Sequence, residues 1–182
     1  MKKKLKKGFT LVELVIVIAV IAILSAVLIP TFGNVIGNAK ESAAKSEVSN
    51  TITQYTTNQA SNQLPSDLPQ EGYIILFKSE QIVAGTGYSD SYKDANISYV
   101  FSYNNGKLET VENPVVKDQT STDITINGVK LKIDGLTVNK DETETPVKYK
   151  TWTAKGTVVL DGKLDESTGI LKGKVVLLTK VA

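Results

Sequence analysis

The alternation of apolar and polar positions changes character twice along the chain. From Leu14 to Ile29 every residue is apolar except Ser25, and from Phe9 to Ala39 the only charged residue is Glu13. Phe9 to Ile29 spans 21 residues, and at about 1.5 Å per residue gives roughly 31 Å of helix, the thickness of a bilayer's hydrocarbon core. No polar stripe interrupts the run, so it suits lipid or a tight bundle of like helices better than the surface of a soluble core. Past Lys40 the period becomes amphipathic: Ala44, Val48, Ile52, Tyr55 and Gln59 follow steps of four and three, with the first four apolar. One face of this stretch can lie on a globular body, and Glu41 with Lys45 adds a favourable i,i+4 pair. Leu64-Pro65 and Leu68-Pro69 continue a helix poorly, so the end falls near residues 58–62. The pattern predicts one continuous or gently bent helix over residues 9–61, bare and apolar over 9–30 and amphipathic over 31–61.

From residue 62 to residue 182 the pattern is that of a β-rich head. Ile97–Tyr103, the Asn105-Gly106 turn and Leu108–Val111 form one hairpin candidate. In a second, Ile124 and Ile126 precede Asn127-Gly128, Val129, Leu131 and Ile133 alternate with lysines, and Asp134-Gly135 leads to Leu136 and Val138. Two-residue turns at both dipeptides would put these apolar side chains on one face, predicting a three-stranded meander. Lys148–Thr153 and Thr157–Leu160 read as strands flanking a turn near Lys155-Gly156, and Asp161-Gly162 closes the next turn. Val175–Leu178 is apolar at consecutive positions, which suits a strand buried on both faces. Seven or eight strands result, and the fold class is α+β: a long helix packed on an antiparallel sheet, with an enlarged C-terminal β region.

Charge sharpens the N-terminal reading. All 21 basic residues are lysine, and five of them (Lys2, Lys3, Lys4, Lys6 and Lys7) precede Gly8, leaving 16 lysines against 19 acids in the rest of the chain. The basic cluster keeps the N-terminus in the cytoplasm and puts the chain after Pro30 outside. A mildly acidic body makes nucleic acid an unlikely partner. With no histidine, cysteine or arginine, the chain lacks imidazole and thiolate chemistry, disulfides and the guanidinium fork. The remaining side chains form no recognisable catalytic constellation, so no enzyme and no cofactor is expected.

Sites that resemble chemistry have plainer readings. Gly169–Lys174 has phosphate-loop lettering, but its glycines are one residue too close and Val175 replaces the hydroxyl, so a strand is expected. Asp161, Asp165 and Glu166 lack the order of a calcium loop and read as a solvated turn, so no metal is expected. Lys148, Lys150 and Trp152 share a strand face that could stack on single-stranded DNA, but a lysine-guarded edge strand explains them too. Asn96-Ile97-Ser98 is a glycosylation triplet by pattern alone.

The stretch that decides among function classes is Lys7-Gly8-Phe9-Thr10-Leu11-Val12-Glu13-Leu14, placed directly before the apolar run and Pro30. A secretory signal peptide gains nothing from a carboxylate at Glu13 and would need a small-x-small cleavage site, of which none is clean before Pro30. An uncleaved membrane anchor remains open on hydropathy alone. The motif closely resembles that of the type IV pilin family, including the pseudopilins. That resemblance implies a basic leader (residues 1–8) cut by a prepilin peptidase between Gly8 and Phe9, with N-methylation of Phe9. It also implies a pilin-like fold and assembly into a helical filament of identical subunits, through an assembly platform and a separate ATPase motor, since the chain has no nucleotide-binding motif.

Glu13 is costly in a membrane span, where insertion scales put a carboxylate at about 2.5–3.5 kcal/mol at the helix centre and less near the interface. It either snorkels to the headgroups or pairs with the terminal amine of a neighbouring subunit and sets axial stagger. Pro30, Gly33 and Gly37 make the next stretch the weak part of the helix, able to bend or locally unwind. The expectation is a pilus subunit, membrane-bound with a cytoplasmic N-terminus and then exported to a surface filament of the kind used in adhesion and motility. The alternatives are a pseudopilin of a secretion or DNA-uptake system, or an uncleaved membrane-anchored binding module.

Overall fold

The computed structural model describes residues 8–60, 68–84, 96–117, 123–132, 136–153 and 156–180. These form one helix, α1 (Leu11–Ala60), and eleven strands. The chain divides into two compact units, residues 1–42 and residues 43–182. In the first, the described residues are the apolar half of α1 and the three residues before it. Its spanning-length window has no buried side chain, so every large apolar group from Leu11 to Ile36 is presented outward. The helix is unbroken through Pro30, Gly33 and Gly37, a difference from the local unwinding the sequence left open. Pro30 offers no N–H to the preceding turn, and beside it the Thr31 hydroxyl donates to the Val27 carbonyl at 2.9 Å.

In the second unit, residues 43–60 of α1 lie on the sheet. Ala44, Val48 and Tyr55 are buried in its core and Ile52 is partly buried, which is the face the steps of four and three predict. Burial pushes the Tyr55 hydroxyl up to about 12. Along this stretch Thr51, Thr53 and Thr57 donate their hydroxyls to the carbonyls of Glu47, Ser49 and Thr53. This back-bonding satisfies the hydroxyls within the helix.

The sheet is antiparallel throughout and is organised around its last strand. In chain order the strands are β1 (Glu71–Ala84), β2 (Ile97–Asn104), β3 (Lys107–Thr110), β4 (Val116–Lys117), β5 (Asp123–Ile126), β6 (Val129–Lys132), β7 (Thr137–Asp141), β8 (Lys148–Thr153), β9 (Thr157–Val159), β10 (Lys163–Leu164) and β11 (Leu171–Lys180). The main sheet runs β3-β2-β1-β11-β6-β5-β4, with β9 and β10 also on β11, while β7 and β8 form a separate pair. One edge of β11 pairs with β1 from Tyr73↔Leu178 to Ala84↔Leu171. The other edge is tiled by three short strands: β10 at Leu171 and Lys172, β9 at Val176 to Leu178, and β6 at Thr179 and Lys180. Val175 to Leu178 are all buried, and because successive strand residues point to opposite faces, both faces are covered there, as their consecutive apolar letters predict.

Between the β10 and β9 tiles, β11 has no strand partner on that edge among the described residues, and a side chain fills the gap. Asp161, in the turn joining β9 to β10, accepts the backbone N–H of Lys174 at 2.9 and 3.0 Å and that of Val175 at 2.9 Å. Leu160 N–H donates back to the Val175 carbonyl at 2.9 Å. Such a close approach requires glycine at position 173, where a Cβ would lie 2.1 Å from Val159 Cγ1 and 2.9 Å from the Asp161 carboxylate. Nearby, Lys163 pairs with Glu80, and Lys174 pairs with Glu47 of α1 at 2.6 Å.

The two Asn-Gly turns form as the letters demand. Asn105 and Gly106 have φ of 46° and 86°, and Asn127 and Gly128 have 49° and 79°, the left-handed pair of a two-residue hairpin turn. Tyr103 then faces Leu108, and Ile126 and Ile124 face Val129 and Leu131. The three-stranded meander does not form. Thr179 and Lys180 of β11 take the outer edge of β6, and Val138 of β7 pairs with Trp152 of β8 instead of lying beside Leu131. Turn residues Asp134 and Gly135, like Lys155, Leu64 and Pro65, lie outside the described residues. β8 and β9 are strands where expected, but each pairs elsewhere, with β7 and β11 respectively.

Two outcomes test these contacts. Asp161→Ala strands the Lys174 and Val175 amides, and a buried donor left unsatisfied costs about 1–3 kcal/mol; the expected loss in urea unfolding is about 2–3 kcal/mol, with Asp161→Asn losing less. Asp165 is held down to about 2 by the Ser167 hydroxyl, the Ser167 amide and Thr168. The stability it adds is present above the unfolded carboxyl value of about 3.9 and is lost as pH falls toward the folded value. The unfolding midpoints of the wild type and Asp165→Asn should therefore differ at neutral pH and converge between about pH 4 and pH 2.

Candidate processing and assembly site at the helix N-terminus

Residues 8–10 precede the helix and carry no regular structure. Phe9 is 87% exposed, and no atom lies within 4 Å of the position a Gly8 Cβ would take. The Gly8–Phe9 peptide bond is thus outside any ladder of backbone hydrogen bonds, the condition a peptidase needs to draw a chain into its cleft. Lysines 2, 3, 4, 6 and 7 lie outside the described residues.

The helix begins with reciprocal side-chain caps. The Leu14 amide donates to the Thr10 carbonyl at 3.2 Å, which makes Thr10 the residue capping the helix. Its hydroxyl accepts the Glu13 amide at 3.3 Å, while Glu13 Oε2 accepts the Thr10 amide at 2.9 Å and the Thr10 hydroxyl at 2.7 Å. This is a capping box, in which two otherwise orphaned amides at the helix start are satisfied at once. It also sets a negative charge at the positive end of the helix dipole. Reading the sequence for charge alone missed it, although Thr10-x-x-Glu13 is the capping-box spelling. Among the described residues, Glu13 Oε1 takes no hydrogen bond. The carboxylate is satisfied on one oxygen by its own chain and open on the other.

Pro30, Gly33 and Gly37 lie along the same helix, all exposed. No atom comes within 4 Å of a Cβ built at either glycine, so close packing inside one chain does not require them. The remaining candidates separate. Asp161 is occupied by the β11 amides and Asp165 by Ser167 and Thr168. Among the described residues no group of three or more acids is placed to hold a metal ion. Trp152 is buried, and a Cβ at Gly162 would sit 3.0 Å from its ring, so the ring is core and offers no stacking face to a nucleic acid. Lys148 pairs with Glu144 at 3.0 Å. Asn96 donates its amide to Gln81 at 3.3 Å in a partly buried setting. Gly169 and Ile170 precede β11, and Leu171–Lys174 belong to it.

A profile of the prokaryotic N-terminal methylation motif matches residues 3–29. The N-terminal segment is type IV pilin-like. The motif supports a type IV pilin- or pseudopilin-like prepilin, and with the apolar helix that starts within it is consistent with membrane anchoring. A search of curated proteins and a search of solved structures each returned no match. In a pilin-like prepilin the capping box acquires a further consequence, because the residue next to the exposed Gly8–Phe9 bond is the cap itself. Thr10→Ala should fray the first turn by about 1 kcal/mol, seen as faster amide exchange at residues 11–14 in detergent micelles. Thr10→Ser should keep the wild-type rate.

Proposed function

We propose that this chain is a structural, non-enzymatic subunit of a type IV pilus filament. The observation that carries the reading is a spanning-length apolar stretch with no buried side chain, which begins inside the residues that match the methylation motif. Prepilin peptidase cuts after Gly8, Phe9 becomes the N-methylated terminus, and the subunit waits in the membrane with its N-terminus in the cytoplasm. An assembly platform driven by a separate ATPase then moves it into a surface filament of identical subunits. Apolar side chains lose little on passing from lipid to a helix bundle, so burial alone gives this step no large driving force. Register must come from a polar contact, and the open Oε1 of Glu13 suits the terminal amine of a neighbouring Phe9. Pro30, Gly33 and Gly37 supply helix compliance in this reading.

Intact-mass and N-terminal analysis of protein from native cells tests it, comparing membranes with sheared surface material. The expected species in the sheared fraction begins at N-methylated Phe9. A chain beginning at Met1 and confined to membranes that contain active prepilin peptidase would leave an uncleaved anchored binding module instead. Short periplasmic-scale filaments in place of long surface ones would favour a pseudopilin. Replacing Gly8 by a bulky residue should abolish cleavage. Glu13→Ala should leave cleavage intact and reduce sheared filament about tenfold or more, since each 1.4 kcal/mol of lost pairing is a factor of ten.

A further inference from the structure

The apolar surface of the first unit is longer than a bilayer. Phe9 to Ile29 already fills the hydrocarbon thickness, yet Phe32, Val35 and Ile36 beyond it are also large, apolar and 58%, 56% and 52% exposed. Their placement differs from that of the span. Around Leu14 to Ile29 the helix is apolar on every side, whereas Leu28, Phe32, Val35, Ile36 and Ala39 recur at steps of four, three, one and three, which is one face of a helix. Thr31, Asn34, Asn38 and Glu41 recur at steps of three, four and three on the other. The pattern therefore switches from all-round apolar to one-sided at the point where the length arithmetic brings the chain out of hydrocarbon.

We propose that residues 30–39 form an interfacial segment, with Phe32, Val35 and Ile36 seated in the outer headgroup and upper acyl region of the membrane before assembly. This rests on the reading of residues 9–29 as a membrane span. The occupant is lipid because the face is continuous with that span and begins where an amphipathic helix, and no longer an all-apolar one, is stable. A helix continuing straight out along the membrane normal would leave all three side chains in water. Turning at Pro30 recovers them at little cost in backbone bonding, since the Ala26 carbonyl has already lost its proline donor. Gly33 and Gly37 bring no side chain to the polar side. An excess of apolar length over bilayer thickness is relieved by tilting or kinking, and Pro30 sits at the required depth.

The chain contains no cysteine, so single-cysteine spin labels report without further engineering. The full-length protein is labelled in turn at positions 32, 34, 35, 36 and 38, with position 17 as a control in the span. It is then reconstituted in phosphatidylethanolamine–phosphatidylglycerol vesicles. The ratio of oxygen to water-soluble nickel-complex accessibility is expected to be severalfold higher at 32, 35 and 36 than at 34 and 38, a helical period superimposed on shallow depth. Equal aqueous accessibility at all five positions with position 17 still immersed overturns the interfacial segment alone. Water accessibility at position 17 overturns the membrane span beneath it. Spin–spin broadening at 32, 35 and 36 that disappears on dilution with unlabelled protein assigns the face to a second copy and also overturns the proposal.

Discussion

An α-helix with apolar side chains on every side cannot be at equilibrium with water, and that constraint governs the rest of the molecule. From Leu11 to Ile36 all the large side chains are outward-facing and none finds cover within its unit. At about 25 cal/mol per Å2 of apolar surface, the helix is soluble only where another medium, lipid or like helices, takes over from the solvent. The two media are nearly equivalent for aliphatic side chains, so such a helix can exchange one for the other. What it cannot do is pass through water between them.

The capping box at Thr10 and Glu13 fits that requirement. A carboxylate entering a low-dielectric setting alone is strongly disfavoured, and so are the unpaired amides at a helix start. Thr10 and Glu13 meet both problems within four residues, using Oε2 for the two Thr10 donors. A helix start whose polar atoms are partly satisfied by its own side chains enters a low-dielectric setting at lower cost. Among the described residues, Oε1 of Glu13 stays open as an acceptor. In the proposed filament the same glutamate would serve both the membrane-resident subunit and its assembly, through different oxygens.

How much of this was legible depended on whether the physics was local. The helix and its docked face could be read because Ala44, Val48, Ile52 and Tyr55 repeat at the helical period, and the hairpins at Asn105-Gly106 and Asn127-Gly128 because turn length and alternation agree. Alternation says which face a residue takes and nothing about which strand lies beside it. For that reason the meander failed: the outer edge of β6 is claimed by Thr179 and Lys180, far along the chain, and no local signal announces that pairing. Asp161 was misread for a related reason. Its letters are those of a solvated turn, and only the gap between two tiles on β11 turns its carboxylate into part of the ladder.

The β-rich unit has no cysteine, and its last strand is held by backbone pairing on both edges. The strand is paired along one edge by β1 and along the other by β10, the Asp161 carboxylate, β9 and β6 in turn. Each tile is too short to be stable alone, so none can leave without exposing both its own amides and those of β11. Residues 43–60 of α1 then contribute Ala44, Val48 and Tyr55 to the same core, with Lys174 of β11 paired to Glu47. That part of the helix cannot be removed without opening the core. Residues 11–42 belong to a separate unit. One continuous helix therefore carries two independent sets of constraints: its first half is free to change surroundings, and its second half is committed to the fold.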